Sequence, residues 1–432
     1  MNKINRRNFL KLTGGVVAMG SLGYAGFAIG GASKKVVVVG GGIGGATAAR
    51  YIKMGDDSIE VILIEPNKNY YTCFMSNEVL SGVRSLDSIR FDYEGLRKAG
   101  VKVIHDIVID VDANGRIVKT ASGDTIHYDR CIVSPGIDFR WDTIDGYDAK
   151  VAETIPHAWK AGPQTVTLRK QLEAMRDGGT VIIAAPPNPF RCPPGPYERA
   201  SQIAYYLKQH KPKSKILILD PKDKFSKFGL FTAGWKKHYG YGTGNSLIEW
   251  ISGAKGGKVE GLDVRTRTVK ALVQDFKGDV LNIIPAQKAG KIAHIAGLAD
   301  KSGWCPVDLK TFESRIHKNI HVIGDAAIQK PLPKSGYAAN SEAKVCAAAV
   351  VALLNGKAVP QPSYVNTCYS ILAPDDGMSV AMVYNYANGK INKIKGAGGL
   401  TPGYDKTTMD MRRREVDYAH SWFNNITKDV FG

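Results

Sequence analysis

The stretch "KKVVVVGGGIGGATAARYIK", residues 34–53, constrains the fold more than any other part of the chain. Val36 to Val39 form an unbroken apolar run, the pattern of a parallel strand buried on both faces. Gly40, Gly42 and Gly45 then complete G-x-G-x-x-G, and a helix is expected from about Gly44 to Lys53. "IEVILIEP" supplies a second strand ending in Glu65, 20 positions after Gly45. Strand, glycine turn, helix and terminal acid in this register form a βαβ dinucleotide-binding unit. The glycines let the backbone approach a pyrophosphate. The helix start offers free N–H groups and partial positive charge, and Glu65 accepts hydrogen bonds from ribose hydroxyls.

Ahead of this unit, "NRRNFLK" (Asn5 to Lys11) precedes a glycine-rich, weakly apolar run from Leu12 to Gly31. It is too short and glycine-rich for a good spanning helix, and it resembles a twin-arginine export signal. Residues 1–32 are therefore expected to be removed, leaving a periplasmic protein. Without Lys3, Arg6, Arg7 and Lys11 the formal charge of +18 falls to +14. Such a balance favours acidic partners. The basic residues are scattered and form no nucleic-acid motif, so no nucleic acid is expected.

Six cysteines occur, Cys73, Cys131, Cys192, Cys305, Cys346 and Cys368, with no C-x-x-C, no zinc spacing and no haem-attachment C-x-x-C-H. Six are too few to staple 432 residues, so any bonded pair is special rather than structural. No metal site is expected. Cys131 in an apolar strand and Cys346 in a helix read as core, and Cys305 is given no chemistry.

A β-rich stretch with turns at "DANG" and "SGD" follows the first unit. A second βαβ unit has strands near Thr180–Ala185 and Lys215–Asp220. "NIHVIGDAA" ends another buried strand, and a helix is expected from about Tyr337 to Asn355. The chain thus reads as α/β, with two Rossmann-like nucleotide-binding domains and a C-terminal α+β interface domain. Residues 33–149 and 286–358 form the two parts of the first domain, 150–285 the second domain and 359–432 the third. In the second unit "TVIIAAP" runs into "PNPFRCPPGPYERA" where a glycine loop would stand. Proline has no N–H, so this loop cannot cradle a pyrophosphate well.

"HVIGDA" resembles the flavin disulfide reductase family, which implies that Asp325, beside Gly324, binds the ribityl chain of FAD. "CIVSPGI" resembles the same family's linker motif at Gly136. "NKNYYTCFMSNEVLSG", "FRCPPGPYERA", "GWCPVDLKTFES" and "NIHVIGDAA" together narrow the resemblance to the flavoprotein subunit of flavocytochrome c sulfide dehydrogenase. That resemblance implies FAD attached by an 8α-thioether to Cys73 and a redox-active cystine between Cys192 and Cys368. It implies a carboxylate beside the cystine at Glu198, a candidate acid/base, and an aromatic near the flavin at Trp422.

The helix near Gly336 is expected to aim its N-terminus at the flavin. Sulfide would attack the cystine, and the electrons would pass through FAD to a c-type cytochrome on a separate polypeptide carrying the haem. Two other readings stand beside this one. A sulfide:quinone oxidoreductase shares fold and chemistry but needs a membrane-embedded C-terminus, for which "KTTMDMRRREVDYAHSWFNNITKDVFG" is too polar. A non-catalytic flavin electron carrier with a structural disulfide keeps the FAD motifs but is not reduced by sulfide.

Overall fold

Val36, Val37 and Val38 are fully buried, in a strand with a parallel neighbour on each edge. The computed structural model describes residues 34–432, so the export-signal expectation at residues 1–32 lies outside the described residues. The first sheet is parallel, in the order Ile320–Val322, Arg130–Val133, Lys35–Val39, Glu60–Ile64, Lys102–Ile104. Its outermost strand comes from residue 320, so the chain leaves this sheet after Val133 and returns nearly two hundred residues later.

In between it builds a second parallel sheet, ordered Ile248–Ile251, Lys215–Leu219, Thr180–Ala184, Val280–Ile283. Each sheet carries its own three-stranded antiparallel meander, Val108–Asp112 to Thr125–His127 inserted before Arg130–Val133 in one case and Val259–Asp263 to Asp275–Lys277 inserted before Val280–Ile283 in the other. Ile137–Phe139 pairs antiparallel with Gln287–Ala289, so the outgoing and returning connections are hydrogen-bonded to each other.

The C-terminal part is α+β. Three antiparallel strands, Ser363–Ala373, Asp376–Ala387 and Lys390–Leu400, precede the helix Met409–Phe431. Thr408 caps that helix by accepting the Met411 N–H at 3.2 Å. Val416, Ala419, Phe423, Ile426 and Val430 recur every three or four residues and are buried, which fixes the helix's inner face. Its end stacks on the first domain: the Phe431 ring lies 5.4 Å from Phe91 and 5.4 Å from Tyr70.

The helix Gly336–Leu354 is long and apolar enough to cross a membrane by length and composition, yet 56% of that stretch is buried inside the protein. It packs on the first helix, Ile43–Gly55, where Asn340 Nδ2 donates to Thr47 Oγ1 at 3.0 Å.

The glycines of the first turn have separable jobs. A Cβ on Gly45 would sit 1.9 Å from the Gly40 carbonyl oxygen, whereas one on Gly42 would meet only the Tyr70 ring at 3.5 Å. Gly45→Ala is therefore expected to cost at least ~2 kcal/mol in denaturant unfolding, and Gly42→Ala less than ~1 kcal/mol. Equal losses would contradict this division.

Candidate active site

A cavity of about 1000 Å³ opens where the first glycine turn, the Cys192 loop, the strand Ser363–Ala373 and the C-terminal helix meet. Of the residues singled out from sequence, Gly40, Gly42, Glu65, Cys73, Gly136, Cys192, Glu198, Gly324, Asp325, Cys368 and Trp422 line it. Gly45 does not, since it packs behind the turn against Gly40.

One end of the cavity fits a dinucleotide. The helix starting at Ile43 has no side-chain cap and no acid in its first turn, which leaves its N-terminal N–H groups for an anion. Glu65 stands at the end of its strand, where Oε2 accepts the Gly41 N–H at 2.8 Å and Oε1 accepts Asn67 Nδ2 at 2.7 Å. Further in, Asp325 follows Gly324, whose φ of 72° is easy only for glycine. Asp325 Oδ2 accepts Arg191 Nε at 2.6 Å, while buried Oδ1 has no partner. A buried carboxylate oxygen without a donor is costly, and a ribityl hydroxyl would satisfy it. The residues present therefore fit FAD.

At the other end lie the sulfurs. Cys73 sits in the loop after Tyr70–Tyr71; Arg191 Nη1 donates to its Sγ at 3.3 Å. Cys192 has a left-handed backbone, φ 56°, and its N–H donates to the Lys334 carbonyl at 2.7 Å. Cys368 lies mid-strand, with Asn366 Nδ2 donating to its Sγ at 3.3 Å. All six cysteines are thiols in this structure. The Cys192–Cys368 bond implied by the resemblance is therefore absent from this structure, and what the fold supplies is one cavity lined by both cysteines. Cys131 and Cys346 are fully buried in the core.

Glu198 is in the first turn of the helix Gly195–His210 and accepts the Ile371 N–H at 3.1 Å. Burial pushes its carboxyl up to about 7, against the opposing pull of the Ile371 N–H and the Lys227 ammonium. The Trp422 ring stacks on Tyr337 at 5.8 Å and tilts against Phe74 at 4.9 Å. Gly336 and Tyr337 line the cavity, so the helix beginning there starts at its wall.

Three further residues carry the site and had no assigned role in the sequence. Arg191 bridges Cys73 and Asp325. Arg199 is 2% exposed and spans Asn77, His157, Ala158 and Asn282, fixing the segment at Trp159, whose carbonyl lies 3.6 Å from the Cys73 sulfur. Lys227 is 7% exposed and donates to the Cys368 carbonyl and Ser370 Oγ, both at 2.8 Å.

Asp220 ends the second strand of the second unit, as Glu65 does in the first. It is wholly buried and accepts Tyr197 OH at 2.6 Å, Trp250 Nε1 at 3.0 Å and Lys222 Nζ at 2.6 Å. Both carboxylate oxygens already have partners in the protein, so besides lacking glycines the second unit has no free acid for a ribose. "LILDP" beside "LIEP" was the available signal.

Comparison with known proteins places these parts. Residues 165–285 match the family described as sulfide dehydrogenase (flavocytochrome c) flavoprotein chain, central, and residues 360–431 match flavocytochrome c sulphide dehydrogenase, flavin-binding. Residues 34–169 match pyridine nucleotide-disulphide oxidoreductase. The flavoprotein chain of sulfide dehydrogenase from Chlorobaculum thiosulfatiphilum is 53% identical over 47 residues, which is 11% of this chain and 98% of that sequence. The mitochondrial sulfide:quinone oxidoreductase of Dictyostelium discoideum is 23% identical over 324 residues, 72% of this chain and 69% of the relative. In fold, the sulfide:quinone oxidoreductase structure from Aquifex aeolicus superposes with a TM-score of 0.65 at 17% identity, covering 92% of this chain and 91% of that one.

The raised Glu198 carboxyl has a consequence for stability. Its folded value exceeds its unfolded one, so its contribution is fully present below about pH 4.5 and is lost as pH rises through about 7. Glu198→Gln keeps an acceptor for Ile371 without the charge. The variant is expected to gain roughly 1–3 kcal/mol on the wild type between pH 4.5 and 8 in denaturant unfolding. A pH-independent difference would contradict the assignment.

Proposed function

Since the chain belongs to the family of the flavoprotein chain of flavocytochrome c sulfide dehydrogenase, we propose that it oxidises sulfide at Cys192 and Cys368 and delivers the electrons to a c-type cytochrome subunit. The observation that carries this reading is that two cysteines, 176 positions apart in sequence, line one flavin-sized cavity. Gly40, Gly42 and the helix start would hold the pyrophosphate, Glu65 the ribose, and Asp325 with Gly136 and Gly324 the remainder, with Cys73 as the point of covalent attachment. FAD bound there supplies a two-electron acceptor.

In the oxidised enzyme Cys192 and Cys368 form a cystine. Hydrosulfide attacks one sulfur, giving a persulfide on one cysteine and a thiolate on the other. Glu198, poised near neutrality, exchanges a proton with the incoming or leaving sulfur. A second nucleophile releases sulfur or polysulfide. Cys192 stands where a phosphate loop would otherwise be, and the loop carries a sulfur instead.

The acceptor reading rests on the C-terminal helix. Its apolar stripe turns inward, and of its large apolar side chains only Met411 and Tyr418 stand well exposed. A helix that embeds in a bilayer presents such a stripe outward. This favours a cytochrome over a quinone, although the sulfide:quinone oxidoreductases match a longer stretch of chain. The haem sits on the partner chain, and the twin-arginine signal delivers the flavoprotein to the periplasm.

Two outcomes test this. Acid-precipitated protein is expected to keep its flavin on the peptide containing Cys73, and Cys73→Ser to release it; flavin wholly in the wild-type supernatant would refute the linkage. Anaerobic sulfide is expected to bleach wild-type flavin and to leave folded, flavin-loaded Cys192→Ser or Cys368→Ser unbleached. Turnover is expected with a c-type cytochrome. Turnover with quinone alone would transfer the chain to the quinone-linked reading.

A further inference from the structure

The two cysteines stand in unlike surroundings, and this difference assigns them unlike parts. It rests on the sulfide-oxidising reading above. Around Cys368, donors converge. Ser335 caps its helix by accepting the Ala338 N–H at 3.1 Å and donates its own proton to Asn366 Oδ1 at 2.6 Å. This fixes the amide so that Nδ2 donates to Cys368 Sγ at 3.3 Å. The Lys227 ammonium is held on the Cys368 carbonyl and Ser370 Oγ from a left-handed backbone, φ 61°. Lys227 itself does not line the cavity.

Around Cys192, donors have been removed. The loop leads into a helix N-terminus, ordinarily a good place for a thiolate. Here Pro193, Pro194 and Pro196 have no N–H. The Gly195 N–H goes to the Cys192 carbonyl at 2.8 Å, and those of Tyr197 and Glu198 go to the Pro194 carbonyl. The first-turn side chain is the Glu198 carboxyl. Burial, then that carboxylate, push the Cys192 thiol up, and the opposing pull of the Lys227 ammonium is the smaller effect.

We propose that Lys227 and Asn366 are positioning residues that make Cys368 the leaving thiolate, so that hydrosulfide attacks Cys192 and sulfane sulfur accumulates there. In the step HS⁻ adds to Cys192 Sγ, the Cys192–Cys368 bond breaks, and its electron pair stays on Cys368. One S–S bond forms as one is lost, and the single negative charge moves from substrate to Cys368. A better-stabilised leaving thiolate departs faster.

The test uses oxidised, flavin-loaded protein mixed anaerobically with one equivalent of sodium sulfide. The mixture is quenched within milliseconds into denaturant with excess iodoacetamide and mapped by peptide mass spectrometry. The extra sulfur is expected on the Cys192 peptide at least roughly five times as often as on the Cys368 peptide. Lys227→Met is expected to bring this ratio towards one and slow flavin bleaching at saturating sulfide roughly tenfold with KM little changed. Lys227→Arg should restore the ratio.

Should Lys227→Met not hold flavin, Asn366→Asp, which replaces the donor by an anion, is expected to lower the ratio in its place. Extra sulfur chiefly on Cys368 in the wild type overturns the assignment, as does an unchanged ratio in a folded variant. If neither wild-type peptide carries extra sulfur, the sulfide-oxidising reading itself fails and this assignment falls with it.

Discussion

Three prolines around one glycine, Pro193, Pro194, Pro196 and Gly195, subtract backbone donors from the start of a helix. Where a second nucleotide-binding unit normally turns a ring of N–H groups towards a phosphate, this one has almost none to offer. Much of the rest follows from that subtraction. The ribose acid of the unit, Asp220, is free to be claimed by Tyr197, Trp250 and Lys222, and the Tyr197 ring stacks on Phe225 at 3.5 Å. The loop holds instead a cysteine on a left-handed backbone, tied through its N–H to Lys334 and through its carbonyl to Gly195. A Cβ at Gly195 would come 2.6 Å from the Trp159 ring and 3.1 Å from that sulfur, so the glycine makes room for the indole first and the thiol second.

Around the cavity the energetics are dominated by buried charge. Arg191, Arg199, Lys227, Asp325 and Glu198 all give up water, and such groups persist only where partners meet them. Arg199 finds four acceptors, Lys227 two, and Arg191 a carboxylate and a sulfur. Asp325 Oδ1 is the conspicuous exception, on a residue that lines the cavity FAD would occupy. Removing one member of such a set leaves another charge stranded. Single substitutions here are therefore expected to be expensive, and conservative variants are the informative ones.

Much of the framework was legible in the sequence because it is local. Val36–Val39 with its glycine turn and Glu65 reads directly as βαβ, and the expected strands at Thr180 and Lys215 begin where the structure begins them. The helix expected near Tyr337 starts one residue earlier, after its Ser335 cap. The site was legible only where a motif or a family likeness named the residue. Lys227 lies in "PKDKFSKFGL", a lysine-rich run that reads as a solvated loop, and only contacts 141 to 143 residues away reveal that it is buried. Arg191 stood inside a quoted motif, but its partners Cys73 and Asp325 are 118 and 134 positions distant. Asn366 owes its orientation to a hydroxyl on another element. Tertiary juxtaposition of this kind leaves no periodic trace.

The central claim is that the second nucleotide loop has become the carrier of one half of a redox pair whose other half comes from the C-terminal sheet. A non-reducing peptide map of the oxidised protein tests it most directly. One cystine is predicted, joining the peptide containing Cys192 to that containing Cys368, with Cys131, Cys305 and Cys346 recovered as thiols and Cys73 carrying flavin. Recovery of Cys192 and Cys368 as free thiols under oxidising conditions, or either one bonded to a different cysteine, would contradict it.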